Sequence, residues 1–238
     1  MPKSTRAQPL IAIRALRQLI ADPEDTSRVF EIIRALGGPS LRQGLKRFRA
    51  TAVGARVLRE NINLLDVLKD RDWLQSLPVG TLGRTYYEFI YGEALSADGL
   101  VEASVAKGDT YDFDDPDLRR FGERMRDQHD VWHTLTQYGR DELGEACLLG
   151  FTYAQTGNRG VGLIALVGGL KIRQALGRGV LQAIWRGYQA GNRAQWLPAQ
   201  PWEELLERPI QDVRRELHLT EPREYQVLRD NFAGAAPA

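Results

Sequence analysis

The chain of 238 residues has one cysteine, Cys147, three histidines and two methionines. A single thiol excludes an internal disulfide framework and any zinc cluster built on cysteines, and nothing marks an oxidising compartment. Long apolar runs are missing too. The longest uncharged one, Gly160 to Leu170, has 11 residues, against about 20 for a membrane-spanning helix. No sustained two-residue alternation ends in a hairpin turn, no segment repeats at a fixed period, and no Ser/Pro-rich linker divides the chain. No glycine-rich phosphate loop or dinucleotide fingerprint follows a strand, so nucleotide cofactors have no support. Ser/His/Asp catalysis lacks a recognisable nucleophile setting. Basic residues are not interleaved with aromatic ones as in single-strand binding platforms, so no nucleic-acid partner is expected.

What is present is a composition of 43% apolar, 26% charged and 8% aromatic residues, which suits a globular chain with a sizeable core. Helical periodicity runs from end to end and predicts an all-α fold, a single-domain helical bundle over residues 1–238 with a frayed tail from about Asn231. Thr26 or Ser27 caps a helix Arg28–Leu36 that Gly37-Gly38 and Pro39 should close. Ser40 caps the next, Asn63 caps Leu64–Leu77, and Thr81 starts Leu82–Leu95. Residues 96–114 read as a long loop. Asp115, with Pro116 at the first helical position, opens a long helix to about Tyr138 that Gly139 ends. Helices over about 141–156, 160–176 and 180–191 follow. After a turn at Trp196-Leu197-Pro198, Pro201 opens a last long helix to about Leu217.

The net charge of +1 hides an asymmetry, because residues 1–60 hold 12 Lys and Arg against 5 Asp and Glu. The excess sits in Lys3, Arg6, Arg14 and Arg17, and in Arg42, Lys46, Arg47 and Arg49. Arginines among aliphatics either face anionic phosphate groups or lie on a solvated helix face. The first 21 residues lack acids, as transit peptides do. Yet Pro9 at a helix start, followed by Leu10, Ile11, Ile13, Leu16 and Ile20 and stopped by Asp22-Pro23, reads as an amphipathic helix of the mature protein.

The histidines are His129, His133 and His218. Two of them stand four apart in His129-Asp130-Val131-Trp132-His133, which on a helix places their rings about 40° apart on one face, where one ion can bridge them. On the wheel of one continuous helix, His129 falls inside the apolar stripe of Leu118, Phe121, Met125, Trp132 and Thr136. His133 lies on its border and Asp130 further round, as a third ligand or a group that orients an imidazole. Glu145, on the next helix, stands opposite Cys147, Gly150 and Ala154 but between Leu148 and Leu149. It is expected to be buried, and a buried carboxylate needs a counter-cation or a proton. The short turn at Gly139-Arg140-Asp141 folds its helix beside the histidines. Two histidines and one or two carboxylates make a mononuclear divalent site. Two core histidines without a metal are the alternative. A zinc-protease helix needs Glu where Asp130 stands, and a di-iron bundle needs a second Glu-x-x-His pair. His218 reads as a cap or surface residue. Gly157, Gly160, Gly162, Gly168 and Gly169 permit close helix packing or make room for a long apolar ligand, packing being the expectation.

His129-Asp130-x-x-His133, eleven residues and then Glu145 resembles the signature of the ubiquinone-biosynthesis Coq-four family. The blocks Gly139-Arg140-Asp141-Glu142-Leu143-Gly144-Glu145 and Leu77-Pro78-x-Gly80-Thr81-Leu82-Gly83 and the glycine-rich stretch after Gln155-Thr156-Gly157 are similar to that family as well. The resemblance covers roughly Leu10 to Leu217. It implies an all-helical fold and a divalent metal, zinc by resemblance with iron or another ion open, on His129, Asp130, His133 and Glu145. It also implies replacement of carboxylate by hydroxyl at C1 of a polyprenylated hydroxybenzoate, a decarboxylase of lyase or oxidoreductase type, with Asp130 and Glu145 as the candidate catalytic groups. The partners implied are a long-chain prenylated aromatic substrate, the membrane surface and other quinone-biosynthesis proteins, which the family is held to organise; a homodimer stays open. The location implied is peripheral, on the cytoplasmic face of a bacterial inner membrane or the matrix side of the mitochondrial one. The reading of a different class is a non-catalytic prenyl-lipid-binding scaffold whose metal is structural.

Overall fold

In the computed structural model, residues 7–21, 27–92 and 115–233 are described. The helices are α1 (Pro9–Ala21), α2 (Ser27–Arg49), α3 (Ala52–Arg59), α4 (Leu64–Leu68), α5 (Arg71–Ser76), α6 (Leu82–Tyr91), α7 (Pro116–Asp127), α8 (His129–Thr136) and α9 (Glu142–Thr156). They continue with α10 (Arg159–Leu176), α11 (Gly179–Arg193), α12 (Trp202–Leu205), α13 (Ile210–Glu216) and α14 (Arg223–Ala233). Among the described residues there is no strand, only an isolated bridge between Thr81 and Pro209. The all-α reading holds.

Side-chain caps set several starts. Thr51, Asp70, Thr81, Asp115, Asp141 and Asn158 each accept a backbone N–H from the first turn of the helix they open. This satisfies donors that a helix start leaves without partners. Asn63 makes no such bond and donates instead to Asp66 at 2.7 Å.

Several boundaries differ from expectation, each for a local reason. Gly37-Gly38-Pro39 does not end a helix: α2 runs through Pro39. Proline has no N–H for the Ala35 carbonyl, and the Gln8 N–H takes that place at 2.6 Å. A Cβ on Gly37 would stand 2.5 Å from Asn158 Nδ2, so the glycine lets α2 approach the cap of α10. The segment expected as one helix over Leu64–Leu77 breaks where Asp70 caps α5. The expected long helix from Pro116 breaks at Gln128, whose buried side chain accepts the Trp202 indole N–H at 2.6 Å. The last helix breaks before Pro209, and residues 206–210 dock on the start of α6 through Leu82 N–H to Arg208 O at 2.9 Å and Ile210 N–H to Gly80 O at 2.9 Å. Helix α14 was not expected; it includes Asn231, where the tail was expected to fray. The loop at 96–114, the end of the helix expected to reach Leu95, Asp22-Pro23 and residues 234–238 lie outside the described residues.

The main core gathers Leu82, Tyr86 and Ile90 of α6, Val131, Trp132 and Leu135 of α8, Leu148 and Phe151 of α9, and Val180 and Ala183 of α11. Helices α9 and α11 press backbone to backbone: a Cβ on Gly187 would lie 2.4 Å from Cys147 O, and one on Gly150 would lie 2.7 Å from Ile184 O. Packing also accounts for Gly160 against Ile33 and Gly169 against Ile184, whereas a Cβ on Gly168 would meet nothing. At the far end of α9, buried Gln155 donates to Gly191 O at 2.6 Å and Gln195 O at 3.2 Å and accepts the Leu197 N–H at 2.8 Å. Gln155→Leu strands these three backbone partners. It is expected to cost about 1–3 kcal/mol in thermal or denaturant unfolding; a variant as stable as the parent would show that these bonds are replaceable.

Candidate metal centre

Three side chains from the α8–α9 hairpin converge. His129 and His133 lie one turn apart on α8, their rings 4.8 Å apart and nearly perpendicular at 88°. Glu145 faces them from the first turn of α9, with Oε1 3.3 Å from His133 Nε2 and Oε2 3.7 Å from His129 Nε2. One donor atom from each lies within 4.8 Å of the others.

The turn between the helices does more than connect them. Gln137 takes the left-handed conformation at φ 62° and ends α8. The next carbonyl, Tyr138 O, lies 3.0 Å from His133 Nδ1. A carbonyl only accepts, so Nδ1 carries the proton, and the neutral ring keeps its lone pair on Nε2. That Nε2 is buried and has no hydrogen-bond partner. It faces a carboxylate oxygen at 3.3 Å, and two acceptors face each other only with a proton or a cation between them. The spacing admits either. A proton makes it an ion pair, while 3.3 and 3.7 Å also lie near the roughly 3.4 Å between donors about 2.1 Å from a tetrahedral ion. The three donor atoms together lie within 4.8 Å. Two imidazoles and one carboxylate fit a divalent transition metal.

Electrostatics agree with a charge-coupled site. Burial opposes the charge on Glu145, but His129 and His133 outweigh it and hold the carboxyl well below the usual carboxylate range. Burial is the largest single influence on His129 and lowers its value, but the hydrogen bond and charge of Glu145, with the charge of Asp130, together outweigh it and Arg140, and the net is upward.

Exposure corrects three expectations. His133, expected at the border of the apolar stripe, is wholly buried and stacks on Phe89 with centroids 5.8 Å apart. His129, expected inside the stripe, has a side chain 38% exposed. The wheel takes one helix from Asp115 and one apolar face. Although Gln128 interrupts that helix, the i→i−4 bonds run on from Gln128 N–H to Arg124 O and from Trp132 N–H to Gln128 O, and almost every side of α8 is covered by neighbouring elements. Glu145, expected buried, is 41% exposed, because the opening of α9 faces the rim of the site. Asp130 is not brought into the three-residue group; its Oδ1 lies 3.8 Å from Arg140 Nη2. Arg140 lies over the Phe89 ring at 4.5 Å, so this pair borders the site through the ring stacked on His133. Phe89 and Tyr138 carried no sequence signal for the site. His218 is exposed at φ 57° after α13, in keeping with a cap or surface position.

The profile of the family described as "Coenzyme Q (ubiquinone) biosynthesis protein Coq4" matches residues 1–223. Curated relatives carry the name ubiquinone biosynthesis protein COQ4, mitochondrial. That of Eremothecium gossypii is 31% identical over 223 residues, 92% of this chain and 66% of the relative. That of Yarrowia lipolytica is 29% identical over 182 residues, 76% of this chain and 66% of the relative. The homologue from Bos taurus is 28% identical over 223 residues, with 93% and 82% covered. The chain thus spans just under two thirds of the length of the two fungal relatives. A crystal structure from Nostoc punctiforme, of a protein provisionally named for ubiquinone biosynthesis, superposes with a TM-score of 0.64 at 21% identity. It covers 89% of this chain and 98% of that one, which shows a shared fold.

Proposed function

Because the chain belongs to the Coenzyme Q (ubiquinone) biosynthesis protein Coq4 family, we propose that it serves ubiquinone biosynthesis as a metal-dependent enzyme. The reaction replaces the C1 carboxylate of a polyprenylated hydroxybenzoate by hydroxyl. The observation that carries this reading is the buried Nε2 of His133, which faces Glu145 beside His129 while Nδ1 is taken by the Tyr138 carbonyl. His129, His133 and Glu145 hold the ion; Asp130 lies outside that group, paired with Arg140. A divalent ion there supplies Lewis acidity toward the substrate carboxylate or phenolate and, if redox-active, a place to activate dioxygen. The protein's share is to fix the His133 tautomer, to balance the ion with one carboxylate, and to keep one side of the site dry with Phe89.

In the oxidative form of the reaction the carboxyl leaves as carbon dioxide and one atom of dioxygen becomes the new hydroxyl. Two electrons and two protons from an external donor carry the other atom to water. Purified protein given a prenylated hydroxybenzoate, oxygen, a reductant and Fe2+, Mn2+ or Zn2+ in turn should yield the hydroxylated, decarboxylated product by mass spectrometry. Unchanged substrate with every metal would sink the catalytic reading and leave the scaffold.

The enzyme works as a peripheral protein on the membrane that holds its long-tailed substrate, beside other quinone-biosynthesis proteins. None of the described helices is long and apolar enough to cross a membrane. On α1, Ala12 and Ala15 pack inward while Leu10 is 81% exposed, next to exposed Ile13, Arg14 and Arg17. Aliphatic and cationic side chains on one outer surface suit an anionic leaflet, where each basic residue contributes about 1 kcal/mol that salt screens. Co-sedimentation with anionic liposomes is expected to weaken in high salt and to weaken again in Arg14→Glu/Arg17→Glu. Binding indifferent to both would remove α1 from the membrane contact.

A further inference from the structure

We infer that Tyr225 of α14 is a positioning residue for the α8–α9 site: its hydroxyl ties down the turn that sets both the His133 ring and the start of the helix bearing Glu145. Tyr225 lies 84 residues beyond Asp141 and outside the residues matched by the family, which end at 223. Nothing in its local sequence marks it.

The geometry forms an unbroken chain of bonds. The Tyr225 hydroxyl accepts the Gly139 N–H at 2.9 Å and donates to Asp141 Oδ2 at 2.5 Å. The other oxygen of that carboxylate, Asp141 Oδ1, accepts the Gly144 N–H at 3.0 Å and so caps α9 one residue before Glu145. On the opposite side of the turn, the Tyr138 ring packs edge-to-face on Tyr225 at 5.5 Å, and the carbonyl of that same Tyr138 takes Nδ1–H of His133. One phenol therefore holds both ends of the turn, one leading to a ligand imidazole and the other to the ligand carboxylate.

The turn is built around that hydroxyl. A Cβ on Gly139 would stand 2.6 Å from Tyr225 Oη and 2.7 Å from Asp141 Oδ2. A Cβ on Gly144 would stand 2.2 Å from Gly139 O. Residues 139 and 144 are thus glycine for room, not for a left-handed backbone. Tyr225 is 1% exposed, and burial together with the Asp141 carboxylate pushes its phenol up to about 12. It stays a donor at every working pH. Helix α14 is itself fixed to α11 by Leu228 over Gly179 and by Glu224 at 2.8 Å from Arg186.

Groups that orient a ligating histidine typically govern metal affinity by about 10–100-fold when removed. Tyr225 acts one bond further out, so the lower figure is expected. Tyr225→Phe removes one oxygen and keeps the ring on Tyr138. In the metal-free protein, nitrogen NMR of the imidazoles should show His133 losing part of its Nδ1–H tautomer while His218 is unmoved. Calorimetric titration with Co2+ should show affinity about 10-fold weaker than in the parent, at unchanged stoichiometry. Asp141→Asn, which keeps an oxygen to cap α9, should move both readouts the same way. The affinity arm rests on the metal site proposed above; the tautomer arm does not. A parent protein that binds no Co2+ would therefore end the metal reading while the tautomer alone decides the role of Tyr225. A lower melting temperature with tautomer and affinity unchanged would make Tyr225 a clamp on the fold only, and would overturn the inference.

Discussion

His133→Ala is expected to empty the site of stoichiometric divalent metal. It removes one of three protein donors, a larger insult than the outer-group changes that cost about 10–100-fold, so affinity should fall by more than about 100-fold. The same substitution is not silent for folding. His133 is wholly buried, stacks on Phe89 and donates to Tyr138 O. Leaving that carbonyl without a donor and the ring space unfilled should cost about 1–3 kcal/mol. His129→Ala separates the two effects. With its side chain 38% exposed, His129 contributes little packing, so its removal should abolish metal binding at nearly parental stability. Metal content by mass spectrometry, with helical circular dichroism and unfolding curves alongside, reads all of this. Full occupancy in either variant would overturn the ligand assignment, and equal destabilisation by both would contradict the burial difference between them.

The juxtaposition of His129, His133 and Glu145 was legible because helical spacing is arithmetic. Four residues bring His129 and His133 to one face wherever the helix begins, and a short turn, residues 137–141, returns Glu145 to them. Depth was not legible. It depends on which distant elements cover each face, as Phe89 of α6 covers His133 and the Trp202 indole, 74 residues away, reaches Gln128. The fate of Gly37-Gly38-Pro39 was hidden for the same reason, because the Ala35 carbonyl orphaned by Pro39 is satisfied by Gln8. Caps with a local partner, such as Thr81, Asp115 and Asn158, were read or readable from their neighbours. Tyr225 lay beyond reach, since only the packing of α14 on α9 and α11 brings it to the turn. Sequence periodicity brings the candidate groups to one face, and packing by distant segments decides which of them are dry.

Acidity gives the most discriminating test of Glu145, because the metal-free and metal-loaded proteins should respond in opposite directions. Glu145 sits below its ordinary value of 4.5 in the fold. Its contribution to stability is therefore full above 4.5 and is lost as pH falls toward the lower folded value. His129 sits above its ordinary value of 6.5. Its contribution is full below 6.5 and is lost as pH rises through the raised value. Both statements describe one attraction between carboxylate and imidazolium, so the metal-free protein gains from it between about pH 4.5 and the raised His129 value. The carboxylate is 41% exposed, and screening keeps the gain small. It should appear as the shape of the stability curve, which Glu145→Gln flattens. Metal binding runs the other way. An ion needs the neutral imidazole and competes with the proton that Glu145 favours on His129. Affinity in the parent should therefore keep rising with pH through and beyond 6.5 instead of levelling there. In Glu145→Gln the proton is held less tightly, so the midpoint of that rise should move to lower pH, while the plateau affinity at high pH falls because a ligand charge is gone. Co2+ titrations from about pH 5.5 to 8 on the two proteins should show both changes together. A lower plateau with an unmoved midpoint would separate ligation from the His129 pairing. Superimposable curves would remove Glu145 from the site altogether.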